Sequence, residues 1–90
     1  MATDFKSIME DMGYQFHNKI NDTVAIIHKD PLVISDIVII FNKKEKYATG
    51  LIKPLTVIKD LDQISHQYEL FRQMQKDVKF FAEILKYDII

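Results

Sequence analysis

From Leu61 to Ile90 the chain carries neither glycine nor proline, and this run constrains the fold more than any other feature. Without a breaker, a helix that starts here has no local reason to stop. A start signal is present: Asp60 offers an N-cap carboxylate and Gln63 the reciprocal partner of a capping box. The spacing predicts a helix over residues 60–87. At ~1.5 Å per residue such a helix is ~42 Å long, whereas a seven-residue strand covers only ~23 Å. Much of the helix overhangs any sheet it packs against, unless it crosses that sheet steeply.

The preceding residues read as a sheet with one helix before it. Thr3 is a candidate N-cap, and Phe5, Ile8, Met9 and Met12 follow at helical spacing up to Gly13, which predicts a short amphipathic helix over 3–13. Tyr14 to Ile20 alternates as a strand does, Asn21-Asp22 suits a tight turn, and Thr23 to His28 returns. Asp30-Pro31 breaks the pattern. Ile34 to Phe41 is the strongest strand signal, β-branched and apolar on both faces from Ile37 onward. A polar tip, Asn42 to Glu45, precedes a strand over 46–52 that Gly50 is placed to bulge and Pro54 to end. Leu55 to Ile58 reads equally as a fifth strand or a linker. The expectation is an α+β fold in one domain over residues 1–90: a short N-terminal helix, an antiparallel sheet of three to four strands (five if Leu55–Ile58 joins), and a long C-terminal helix packed on it.

Apolar residues exceed what that arrangement covers. On the long helix Ile64, Tyr68, Phe71, Val78 and Leu85 share one side, with Met74 and Phe81 at its edge, and four of them are spaced by sevens. Past Lys79 a second apolar group, Phe80, Ile84 and Tyr87, occupies the side that is polar earlier in the helix. With a two-residue turn at Asn21-Asp22, Tyr14, Phe16, Ile20, Ala25 and Ile27 share a sheet face, leaving Val24 and Ile26 on the other. Strands apolar on both faces need cover on both. Either the short helix covers Phe80, Ile84 and Tyr87 and closes a monomer, or a second copy does so across a two-fold axis. The expectation is the second, with Phe80, Ile84 and Tyr87 as the partner surface and Val24 and Ile26 as its alternative.

Chemistry has few candidates. There is no cysteine, so thiolate catalysis, disulfides and cysteine-based zinc sites are excluded. Two glycines in the whole chain leave no phosphate-cradling loop. His17 and His28 fall diagonally across the first hairpin, but a metal site needs further donors of fixed geometry. Ser65 and His66 are helix neighbours pointing ~100° apart and form no nucleophile–base pair. Asp60 and Asp62 sit in a first helical turn, where carboxylates offset the dipole. The expectation is a non-enzymatic protein with no cofactor, no metal and no small-molecule substrate.

Net charge is −1, so no global field draws the chain to nucleic acid or anionic lipid. The order helix–strands–helix is similar to that of the double-stranded-RNA-binding domain. That likeness implies a lysine cluster at the start of the second helix, where this chain has Lys59-Asp60-Leu61-Asp62-Gln63. The remaining basic groups are Lys43, Lys44 and Lys46 at the hairpin tip and Arg72, Lys76 and Lys79 on the helix, which define the alternative function, weak nucleic-acid binding. No apolar run nears ~18 residues, and no basic-then-apolar leader opens the chain, so a cytoplasmic protein outside the membrane is expected. Eleven lysines against a single arginine, with abundant isoleucine, suggest an AT-rich bacterial or phage genome. The function expected is a protein–protein interaction module, homodimeric or paired with another protein, serving as an adaptor, inhibitor or accessory protein.

Overall fold

The computed structural model describes residues 4–90. Helix α1 (Phe5–Asp11) leads into a meander of β1 (Gln15–Ile20), β2 (Thr23–His28), β3 (Ser35–Asn42) and β4 (Tyr47–Pro54). The long helix α2 (Leu61–Leu85) and a two-residue strand β5 (Asp88–Ile89) follow. The strands lie in sequence order in one sheet, antiparallel except for β5, which runs parallel to β4. This is the expected α+β fold. Thr3, expected as the first N-cap, lies outside the described residues, and Asp4 fills that role by accepting from the Lys6 amide at 3.1 Å. Gly13 ends α1 at φ +89°, a conformation that favours glycine. The capping box at Asp60 and Gln63 is present in both directions.

Both helices lie on one face of the sheet. A Cβ on Gly50 would stand 2.8 Å from Met74 Cγ and 3.6 Å from Val78, which fixes Gly50 toward α2. Directly paired residues share a face, so Ile39 and Ile26, in register with Gly50, point the same way. With alternation along each strand, this inner face holds Ile26, Ile37, Ile39, Phe41 and Ala48, all buried in one core with Leu70, Met74, Val78, Phe81 and Ala82 of α2. Helix α1 joins through Phe5, whose ring meets Phe41 and Phe81 edge-on at 5.7 and 5.4 Å. Tyr14 closes the cluster, its ring 5.4 Å from Phe81 and its hydroxyl donating to Asp77 at 2.7 Å.

Three expectations are corrected, and the open alternative at Leu55–Ile58 is decided. Gly50 does not bulge β4, since the β3–β4 ladder runs unbroken through it; its missing side chain instead makes room for Met74. The irregularity falls in β1, between Phe16 and Asn18. One extra residue there flips every side chain before it, so Phe16 pairs with Ile26 on the inner face and leaves Ala25 and Ile27 on the outer one. Leu55–Ile58 is not a strand, and the fifth strand comes from the end of the chain, where Lys86 turns left-handed at φ 60°. Finally, the side of α2 that packs is centred on Leu70, Met74, Val78 and Phe81, while Ile64, Tyr68 and Phe71 are exposed. A seven-residue spacing rotates by ~20° each repeat on a straight helix. With Val78 seated on the sheet, the two earlier positions have turned away from it.

The contact between Gly50 and Met74 yields a test. Gly50→Val is expected to lower stability by about 1–3 kcal/mol through overpacking. Combining it with Met74→Ala should recover part of that loss, measured as a non-additive double-mutant cycle in urea unfolding. Strict additivity would show that the two side chains do not compete for the same space.

Candidate partner surface and buried polar cluster

The most concentrated polar chemistry lies where β2 turns into β3. Asp30 is 4% exposed, and both of its carboxylate oxygens are occupied. Oδ1 accepts from the Leu32 amide at 3.1 Å and faces His66 Nε2 at 2.9 Å; Oδ2 accepts from the Ile34 and Ser35 amides at 3.0 and 3.2 Å. A carboxylate only accepts, so the His66 Nε2 carries the hydrogen. The Asp30 amide in turn donates to Asp36 Oδ1 at 3.0 Å. Burial pushes the Asp30 carboxyl up, but the hydrogen bonds from His66 and the three amides together outweigh it and leave the group below its usual range. These bonds hold Val33 at φ 56°, a left-handed conformation that is strained for a β-branched residue. Ser35 Oγ is fully buried without a hydrogen-bond partner among the described residues. With every acceptor site taken, the cluster works as a clamp that ties the β2–β3 connection to α2.

The sequence places His66 on a solvated side of the helix. Its pairing with Asp30, thirty-six positions away, depends on how α2 lies across the sheet and leaves no local signal. His17 and His28 are not brought together as a donor set: His28 packs edge-on against Tyr14 at 5.2 Å, and His17 is exposed. Among the described residues no three His, Cys, Asp or Glu side chains form a group able to hold a metal.

The expected partner residues separate. Ile26 is 1% exposed and belongs to the chain's own core, with Val24 and Tyr87 half-buried against it. Phe80 and Ile84 stay 44% and 40% exposed, so α1 leaves them open while packing on Phe81. The larger apolar surface is on the other flank of α2. Leu61, Ile64, Tyr68 and Phe71 are 79%, 53%, 62% and 42% exposed, and they recur at i, i+3, i+7 and i+10. His66 and Asp77 reach from one flank of α2 toward Asp30 and Tyr14; this stripe turns the opposite way, to the β4 side. There β4 is paired only at Tyr47 and Ala48 by β5, leaving its edge bare from Gly50 to Pro54. Leu55 and Val57, in the connection before α2, are exposed as well. The outer sheet face is apolar too, but Ala25 and Ile27 are already shielded by their neighbours.

The basic residues take scattered positions. Lys43, Lys44 and Lys46 form the exposed β3–β4 turn beside Glu45. On α2, Lys76 and Lys79 are exposed beyond Arg72, whose guanidinium lies 5.9 Å over the Tyr68 ring. Among the described residues, no helix is long and apolar enough to cross a membrane. No family model, no curated protein and no solved structure matches the chain.

The Asp30 clamp carries a pH dependence. A carboxyl lowered in the folded state contributes stability above the ordinary carboxylate range and loses it as pH falls through the folded value. Asp30→Ala is expected to cost on the order of 3 kcal/mol at neutral pH, since buried amides lose their acceptor. The gap between wild type and Asp30→Asn should narrow as urea unfolding is repeated below the ordinary carboxylate range; a constant gap would show that Asp30 carries no depressed carboxyl. Val33→Gly is expected to raise the melting temperature, because left-handed strain of about 1–3 kcal/mol exceeds the roughly 0.5–1 kcal/mol that glycine's freedom costs on folding; a lower melting temperature would show that Val33 is not strained.

Proposed function

We propose that this chain is a non-enzymatic protein–protein interaction module that pairs with a second copy of itself through the exposed flank of α2. The observation that carries this reading is the spacing and exposure of Leu61, Ile64, Tyr68 and Phe71. Alternating steps of three and four are those of a two-helix seam, in which each apolar side chain seats between residues of a facing helix. Four large apolar side chains in line, each more than 40% exposed, exceed the scattered single exposures of an ordinary monomer surface. A like helix offers the complementary seam, and a two-fold axis between two copies of α2 brings both stripes into contact at once. Arg72 stacked over Tyr68 supplies the polar rim such an interface carries.

Phe80 and Ile84 form a second, smaller patch and are the internal comparison. Molar mass by light scattering behind a sizing column, across a concentration series, is expected near twice 10.6 kDa. Ile64→Asp with Phe71→Asp should return the mass to that of the monomer, whereas Phe80→Asp with Ile84→Asp should leave the dimer intact. The reverse pattern would move the interface to the Phe80 flank. A monomer at every concentration would sink self-association altogether.

A further inference from the structure

A cavity of about 590 Å³ opens between α1, the first hairpin and the C-terminal end of α2. Helix α1 meets the core through Phe5 and Met9, and the described residues leave the space between it and the hairpin open. Its walls are largely apolar, and Phe5, Met9, Phe16, Phe41, Leu85 and Tyr87 are among the residues that line it. Three further wall residues are Lys6, Lys19 and Lys43, drawn from α1, β1 and the β3–β4 turn. No aspartate or glutamate is among the lining residues. In a chain whose net charge is −1, three lysines from three elements converging on one apolar cleft, without a countering acid, are a local departure from the composition.

We propose that this cavity binds an amphipathic monocarboxylate, a medium-chain fatty acid or a compound of the same build. The volume lies within the range of small-molecule sites, about 300–1,000 Å³, and an aromatic and aliphatic wall with a few placed polar groups is their usual lining. The acyl chain takes the place between Phe5, Phe41 and Leu85, and the carboxylate meets the lysines at the rim. Ammonium groups favour an anion over a neutral head of equal size, and their alkyl stems extend the apolar wall. The bulge in β1 completes the site: it turns Phe16 to the inner face, which Lys19 already shares through its pairing with Val24, and each lines the cavity. An unbulged register puts Phe16 on the outer face with Ala25 and Ile27.

Isothermal titration of octanoate, decanoate and dodecanoate, each below its micellar concentration, tests the proposal, with 1-decanol as the neutral probe. Affinity is expected to rise about four-fold per added methylene until the cavity fills, with decanoate bound at least ten-fold tighter than decanol. Lys6→Gln/Lys19→Gln/Lys43→Gln, three exposed positions, should remove that ten-fold preference while leaving decanol binding in place. Val24→Trp, which fills the cavity, should abolish both. Ile64→Asp/Phe71→Asp should bind decanoate as the wild type does, which separates this site from the α2 stripe whatever the oligomeric state. No heat for any of the acids, equal binding of decanol and decanoate by the wild type, or loss of binding in the Ile64/Phe71 variant would each overturn the proposal.

Discussion

Phe81 is where the molecule is joined. It is fully buried, and its ring meets Phe5 of α1, Tyr14 at the entrance to β1 and Phe41 of β3, all edge-on, with centroids 5.4, 5.4 and 6.0 Å away. Edge-to-face pairs of this kind contribute ~0.5–1.5 kcal/mol beyond the area they bury. One side chain on α2 thereby fixes the position of the first helix, the start of the first strand and the centre of the sheet. The hydrogen bond from Tyr14 to Asp77, one helical turn before Phe81, adds direction to that contact. Burial first, and then this bond and the Asp77 charge, push the Tyr14 phenol far above its usual range, so it stays a donor. At the other end of α2 the Asp30–His66 contact does for the β2–β3 connection what Phe81 does for the core.

With α2 held at both ends, its packed face cannot follow every apolar position in its sequence. The sheet takes Leu70, Met74, Val78 and Phe81, and the remainder falls to the two flanks. The surplus of apolar residues read from the sequence is therefore present, but distributed differently. Part of it forms the stripe from Leu61 to Phe71, part the Phe80–Ile84 patch, and part the walls of the cavity beside α1. Among the described residues no helix lies over the sheet's outer face, with Ala25, Ile27, Val38, Ile40 and Leu51, and its central residues rely on one another for shielding.

The elements with strong local signals were legible. Gly13 stops α1, the capping box starts α2, and the β-branched run from Ile37 becomes the centre of the sheet because each signal acts within a few residues. What was missed is non-local. The β1 bulge depends on how Phe16 meets the core, the role of Gly50 on where Met74 lands, and the partner of His66 on a loop far away in sequence. The site residues followed the same division. Phe80 and Ile84 are exposed, as their helical positions imply, whereas Ile26 is in the core because its partner Ile39 shares the face on which Gly50 meets α2. The Ile64–Phe71 stripe was read as the packed side; a rotation of ~20° per repeat was enough to move it to the surface.

Strand β5 has a kinetic meaning. It is two residues long, and its hydrogen bonds, Asp88 to Lys46 and Ile90 to Ala48, join positions separated by the whole of α2. The hairpins β1–β2, β2–β3 and β3–β4 close over short loops, which is fast; the β4–β5 pairing waits until α2 has docked. By the same reasoning it is the pairing with the fewest contacts to break, two residue pairs against five or more in every other ladder of the sheet. The least costly place to open the sheet is therefore its β4 margin, while the strands at its centre are held by the longest ladders.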